Sequence, residues 1–290
     1  MTNSKFTGLG VAMITPFKTD FSVDFEALSN LTNYLIEGGV HFLVVLGTTG
    51  ETATLTKDEK LAVYNTVKAA AAGRVPLVAG IGGNNTMEVL EHIKAFDFTG
   101  WDGILSVSPY YNKPNQEGIY LHYKAIAEAA PRPVIIYNVP GRTGSNMTAA
   151  TQLRIANLPN IVATKEASGN FSQVMDIINN RPADLLVLSG DDALTYPFMA
   201  LGMEGVISVI GNAYPKEFSS MVNHCLQGNW NEAKALHYKL LALMETIFDD
   251  GSPGGIKVIL NKMGLCENVV RLPLANVNPT TQSKLLSLML

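Results

Sequence analysis

Eight short, almost continuously apolar runs recur along this chain, and helical patterns fill the gaps between most of them. They are GLGVAMITPF (8–17), HFLVVLGTTG (41–50), VPLVAGIGG (75–83), GILSVSPYY (103–111), PVIIYNVPGR (133–142), NIVATKEAS (160–168), LLVLSGDD (185–192) and GVISVIGN (205–212). Strands that face water on one side alternate apolar with polar, so runs like these belong to strands buried on both faces. That is the signature of a parallel sheet clothed in helices. Eight strand–helix units can close into a parallel (β/α)8 barrel, the TIM-barrel form of the α/β class. An open doubly wound sheet is the competing topology, and eight such units favour the barrel.

Helical periodicity supports the alternation. DFEALSNLTNYLIEGG places Phe25, Leu28, Leu31, Tyr34 and Leu35 on one stripe. A second helix is expected just after Thr56, with an Asp/Glu-rich first turn and an end at Gly73. After about residue 228 the alternation stops. WNEAKALHYKLLALMETIF keeps apolar residues at helical spacing (Trp230, Ala233, Leu236, Leu240, Met244, Ile247), and GGIKVILNKMG and TTQSKLLSLML read as shorter helices. The expected organisation is a catalytic barrel over 1–228 and a C-terminal helical extension over 229–290.

Composition excludes several classes of partner. The 290 residues carry a formal net charge of -4, with no basic footprint for nucleic acid. No stretch of about 18 or more uninterrupted apolar residues exists to form a membrane-spanning helix. The start, MTNSKFTGLGVAMITPFKTD, lacks the charged, apolar and small-residue succession of a secretory leader. Cys225 and Cys266 lack metal spacing and read as reduced thiols of a cytoplasmic protein, with a structural disulfide as the alternative.

In an eightfold barrel the chemistry sits at the C-terminal ends of the strands. Those ends supply Thr48, Thr49, Tyr110, Tyr111, Tyr137, Arg142, Lys165, Gly190 and Asp191, and no histidine. His41 begins a strand, while His92, His122, His224 and His237 fall in helical patterns. HxH, HExxH and CxxC spacings are absent, so no metal site is expected. Asp191 and Asp192 read as helix caps more readily than as metal ligands. GIGGNN and GTTGETAT are incomplete matches to phosphate-binding loops.

Lys165 is the unusual member, because it continues the apolar face of Ile161 and Ala163. A lysine inside a barrel is desolvated, which favours the neutral amine, a nucleophile towards carbonyls. A lysine that buries its stem and sends its head to water is the other reading, and the strand alone does not separate the two. Tyr137 follows Ile135 on the preceding strand and can project towards Lys165. A phenol there, with Thr48 as hydroxyl partner, can move the protons that imine chemistry requires. Alone it would read as an aromatic core residue. In GTTGE, Thr48 and Thr49 occupy a Gly-flanked turn suited to a carboxylate, or equally an ordinary capping turn. Arg142 can clamp a second carboxylate, or form a surface salt bridge.

In order and spacing GTTGE, SPYYNKP, YNVPGRTG, KEASGN and GVISVIGN resemble the dihydrodipicolinate synthase family, over nearly the whole chain. That family belongs to the class I, lysine Schiff-base aldolases that include N-acetylneuraminate lyase. The resemblance implies condensation of pyruvate with L-aspartate 4-semialdehyde, the entry to diaminopimelate and lysine synthesis, with no cofactor beyond an imine on Lys165. It further implies that Tyr137 is the proton shuttle, relayed through Thr48 and through Tyr111 from a neighbouring subunit, hence a dimer paired into a homotetramer. Thr49 and the turn amides would hold the pyruvate carboxylate, and the main chain at Gly190 and Ile207 would line the pocket. Arg142 resembles the arginine that binds the aldehyde's carboxylate, which sialic acid lyases generally lack.

Two departures stand out. Many members carry NPIPVK where this chain has GSPGGIK (251–257), which leaves that segment's packing open. Lysine-inhibited members use histidines in an allosteric site where this chain has Lys57 and Lys60, although Ala53, Asn84, Glu88 and Tyr110 fit the pattern. Two ammonium groups repel an incoming lysine, so weak or absent feedback inhibition is expected. The alternatives to the synthase are another pyruvate-dependent lyase, such as N-acetylneuraminate lyase or a 2-keto-3-deoxy sugar acid aldolase, and a non-catalytic keto-acid-binding barrel. The last gives Lys165, Tyr137 and Thr48 no purpose.

Overall fold

A computed structural model describes residues 4–290. All eight apolar runs contain strands: β1 (Gly8–Ala12), β2 (Phe42–Val45), β3 (Leu77–Gly80), β4 (Gly103–Val107), β5 (Val134–Asn138), β6 (Ile161–Glu166), β7 (Leu186–Ser189) and β8 (Gly205–Ser208). They pair in parallel and in sequence order, and β8 returns to β1 to close the barrel. Between them run α1 (Phe25–Glu37), α2 (Lys57–Ala71), α3 (Thr86–Ala95), α4 (Gln116–Ala129), the single turn α5 (Pro140–Thr143), α6 (Ala149–Ala156), α7 (Phe171–Asn180) and α8 (Thr195–Ala200). After β8 come α9 (Pro215–Leu226), α10 (Trp230–Thr246), α11 (Gly254–Lys262) and α12 (Pro279–Leu288).

Local chemistry sets the boundaries. The side chain of Asp24 accepts from the N–H of Ala27 to open α1, whose buried residues are Leu28, Leu31, Thr32 and Leu35. Phe25, the first helical residue, precedes that stripe and is 40% exposed. Thr56 and Glu59 form a reciprocal capping box at the start of α2. That helix ends at Ala72, in a left-handed conformation, one residue before Gly73. In α10 the buried residues include Ala233, Leu240 and Met244, with Ile247 buried just beyond, whereas Trp230 is 38% exposed. The 251–257 segment forms a turn at Gly251, a cis Ser252–Pro253 bond and the first residues of α11.

Each strand divides its side chains between two layers. Phe42, Val44, Val78, Leu105, Ile135 and Leu188 pack inside the barrel, with Phe6 against Phe42. Leu43, Val45, Ile104, Ile136 and Val187 pack outward on the helices. Strand β6 breaks strict alternation. Val134 pairs with Ile161 but Ile135 pairs with Ala163, a slip of one residue. Ile161 therefore packs in the outer layer, not on the face of Ala163 and Lys165 that simple alternation assigns it.

Candidate active site

Beyond the slip, Tyr137 and Lys165 are register partners on β5 and β6. Both follow inward-facing residues, Ile135 and Ala163, and both side chains are 5% exposed. The Lys165 Nζ sits 4.3 Å from the centre of the Tyr137 ring, a cation–π distance for the charged amine. Burial, joined by the nearby Arg142 charge and opposed by Asp192, lowers the lysine to about 8 from its ordinary 10.5. Burial also raises the Tyr137 phenol, against the Arg142 charge and a hydrogen bond from the Thr48 hydroxyl. The lysine does not reach out to bulk water. It stands at the floor of a cleft of about 510 Å3 whose walls include Thr48, Thr49, Arg142, Gly190 and Asp191.

The surrounding loops supply the rest. In the turn after β2, the N–H groups of Gly50 and Glu51 donate to Gly47 and Thr48 carbonyls, closing the turn on itself. Those two amides are thus engaged, and Thr48 and Thr49 are the turn residues that line the cleft. Pro140 opens α5, where its missing N–H costs nothing, and the helix carries Arg142 to the lip, exposed to solvent. Gly190 meets the lysine directly: a Cβ there would lie 2.6 Å from the Ala167 Cβ and 3.1 Å from the Lys165 Cε. Only a residue without a side chain leaves the lysine stem its place.

Asp191 and Asp192 take different roles. Asp191 accepts from the N–H of Leu194 in the turn ahead of α8 and borders the cleft. The N-cap of that helix is Leu194, with no side-chain cap, so neither aspartate takes the expected helix-capping role. Asp192 is 3% exposed and accepts instead from the N–H groups of Val209 and Ile210 after β8. Burial pushes it up to about 6. Ile207 packs in the barrel interior, and Val209 is the residue beyond β8 that reaches the cleft. Tyr111 is not brought in: it is 88% exposed, in left-handed backbone at φ 73°, and its N–H donates to Thr143 beside Arg142.

The candidate effector residues lie outside the residues that line this cleft. The Asn84 side chain donates to the Tyr110 carbonyl, and Asn85 donates to Glu88. Ala53 lies exposed on the loop after β2. Burial and the charges of Lys60 and Lys57 hold His92 below its ordinary value, which places both lysines close to it. Among the described residues no three His, Cys, Asp or Glu side chains are placed to hold a metal ion. None of their helices is long and apolar enough to cross a membrane. Cys225 and Cys266 are both buried free thiols.

Some participants escaped the sequence reading. Met244 and Glu245 of α10, with Phe248 and Ser252 beyond it, form a wall of the cleft, so the C-terminal helical region borders the site. Glu51 of GTTGE and Lys257 of GSPGGIK form an ion pair with both side chains fully buried. A lysine inside the apolar run GGIKVIL was the available signal, the same one that marked Lys165.

The likeness to known proteins spans this whole architecture. The model of the dihydrodipicolinate synthetase family matches residues 5–289. The 4-hydroxy-tetrahydrodipicolinate synthase of Flavobacterium psychrophilum is 56% identical over 281 residues, 97% of this chain and 96% of that protein. The dihydrodipicolinate synthase structure from Aquifex aeolicus superposes with a TM-score of 0.94 at 41% identity, covering 97% of this chain and 96% of that one. A structure described as the first monomeric dihydrodipicolinate synthase variant gives 0.95 at 38% identity, over 98% of this chain and 96% of that one. With barrel, strand-end lysine and helical region all inside the matched span, this chain belongs to the dihydrodipicolinate synthetase family.

Proposed function

We propose that this chain is a lyase that condenses pyruvate with L-aspartate 4-semialdehyde to give 4-hydroxy-tetrahydrodipicolinate, the first committed step towards diaminopimelate and lysine. The observation that carries the reading is the buried Lys165 amine, lowered to about 8 and seated 4.3 Å from the Tyr137 ring centre. The neutral amine attacks the keto carbon of pyruvate. The carbinolamine accepts a proton on its hydroxyl and loses water to leave an iminium on Lys165. Loss of a methyl proton gives the enamine, whose carbon attacks the aldehyde while the aldehyde oxygen takes up a proton. Attack of the acceptor's own amine on the imine carbon then releases Lys165.

Tyr137, hydrogen-bonded to Thr48, is positioned to carry those protons. Thr49 and the Thr48 turn receive the pyruvate carboxylate beside Gly190, with Ile207 packed in the barrel interior beneath. Arg142 at the lip receives the carboxylate of the aldehyde, where a cation on a short helix meets an incoming anion. Tyr111 serves the site of a neighbouring subunit, which requires at least a dimer and, by family resemblance, a homotetramer. Its exposure and fixed backbone support that role. The enzyme uses no cofactor, works in the cytoplasm, and functionally divides into a 1–228 barrel and a 229–290 helical region.

Incubation with pyruvate, borohydride reduction and peptide mapping test the reading. A reduced pyruvyl adduct on Lys165, absent in Lys165→Ala, is expected; its absence from the wild-type protein overturns the proposal. Pyruvate-loaded protein should consume L-aspartate 4-semialdehyde and leave N-acetylmannosamine untouched, and the reverse preference would assign it to the sugar-acid lyases.

A further inference from the structure

The segment linking the Thr48–Thr49 turn to α2 is held at both ends by cations from the C-terminal helical region. At its start, the Glu51 Oε1 accepts from the Lys257 Nζ at 2.6 Å, and its Oε2 accepts from the Arg271 N–H at 3.0 Å. At its end, the Arg271 guanidinium pairs with Glu59 and donates to the Thr54 carbonyl. Both cations lie over the Phe17 ring, at 4.3 and 4.4 Å from its centre. Lys257 also donates to the Val269 carbonyl, so its buried charge meets an anion, a carbonyl dipole and an aromatic face.

Glu51 occupies a demanding backbone position. Its φ of 53° and ψ of 36° lie in the left-handed region, which disfavours side chains other than glycine. Glu51 is two residues from Thr49, and its N–H closes the turn onto Thr48. Fixing its carboxylate therefore fixes the turn. On the other side, the start of α11 is jammed against the end of α10: a Cβ on Gly255 would lie 2.3 Å from the Ile247 carbonyl oxygen. That end of α10 carries Met244 and Glu245 into the cleft. One buried contact thus ties the turn to the opposite wall.

We propose that Glu51 and Lys257 are positioning residues, whose ion pair sets the Thr48–Thr49 turn and the α10 wall at the spacing that pyruvate binding requires. The inference rests on the proposed pyruvate chemistry and adds that the helical region governs pyruvate affinity. Removing one partner strands a buried charge and destabilises the fold. A variant without either charge spares the fold that penalty but loses the directed contact.

Three variants separate positioning from stability: Glu51→Asp, Lys257→Met, and the pair Glu51→Gln with Lys257→Met. Each is measured for Tm, for the pyruvate concentration that half-saturates borohydride trapping, and for kcat. The double variant should melt within a few degrees of wild type, yet need at least fivefold more pyruvate, with kcat falling less than that. Glu51→Asp keeps the charge balance and should also need severalfold more pyruvate. Wild-type half-saturation in both, or half-saturation that recovers in step with Tm, overturns the positioning role. A wild-type protein that traps no pyruvate overturns the chemistry itself, a distinct result.

Discussion

The most exacting consequence of the buried lysine is the pH dependence of imine formation. An ordinary lysine titrates at 10.5, whereas burial brings Lys165 to about 8. At pH 7 about a tenth of Lys165 is free amine, against about one part in three thousand for an ordinary lysine. That is a gain of roughly 300-fold in nucleophile, equivalent to about 3 kcal/mol. The initial rate of adduct formation at low, fixed pyruvate, quenched with borohydride and quantified on the Lys165 peptide, should rise about tenfold per pH unit below 7 and level off near 9. The linkage has the opposite sign from that of a salt-bridged lysine. The unfolded chain takes up the proton at the higher pH, so the stability cost is full below about pH 8 and fades as pH rises towards 10.5. An adduct rate still climbing tenfold per unit above pH 9.5 would refute the argument, since it would report a solvated amine.

Gly190→Ala should cost about 1–3 kcal/mol through overpacking and cut Lys165 trapping at least tenfold, because its Cβ would crowd Ala167 and the lysine stem; unchanged trapping would place the stem elsewhere. Arg142→Ala should impair turnover of the aldehyde more than pyruvate loading, and equal damage to both would count against its assigned partner. L-lysine should inhibit weakly or not at all, because the ammonium groups of Lys57 and Lys60 at the candidate effector site would repel it; sub-millimolar inhibition in a steady-state assay would overturn that. Tyr111→Phe should lower kcat without changing the sedimentation coefficient, while a wild-type monomer with full activity would remove the need for a partner's phenol.

Much of this was legible from the sequence because parallel barrel strands are buried on both faces and so read as near-continuous apolar runs. All eight runs hold strands, and the strand-end rule points to Thr48, Tyr137, Arg142, Lys165 and Gly190, all of which line the cleft. What stayed hidden depended on contacts between distant parts of the chain. Glu51 and Lys257 are 206 positions apart, and nothing local marks an acidic residue in a Gly-rich turn as fully buried. Lys257 within GGIKVIL carried the same oddity as Lys165, an isolated cation in an apolar run. Its burial among the helices, rather than at a strand end, kept it from notice. Asp192 reads as a cap by type, but its backbone partners are Val209 and Ile210, beyond β8. The slip on β6 has no composition signature, so strict alternation put Ile161 on the wrong side.

That slip makes the identity of the reactive group a question of parity. Past it, Ala163 and Lys165 face the barrel axis, while Thr164 and Glu166 face the helices, where Gln152 binds both. Asn138 and Gln173 also donate to the Glu166 carboxylate, so that side is furnished for an anion. Val162 is the extra residue of the slip, so its loss would restore plain alternation and leave Ala163 and Lys165 facing the axis. Removing Thr164 instead would exchange the two sets, sending the amine among amides and the carboxylate to the floor of the cleft. A strand of the same composition and nearly the same length would then present an acid where the chemistry needs a base.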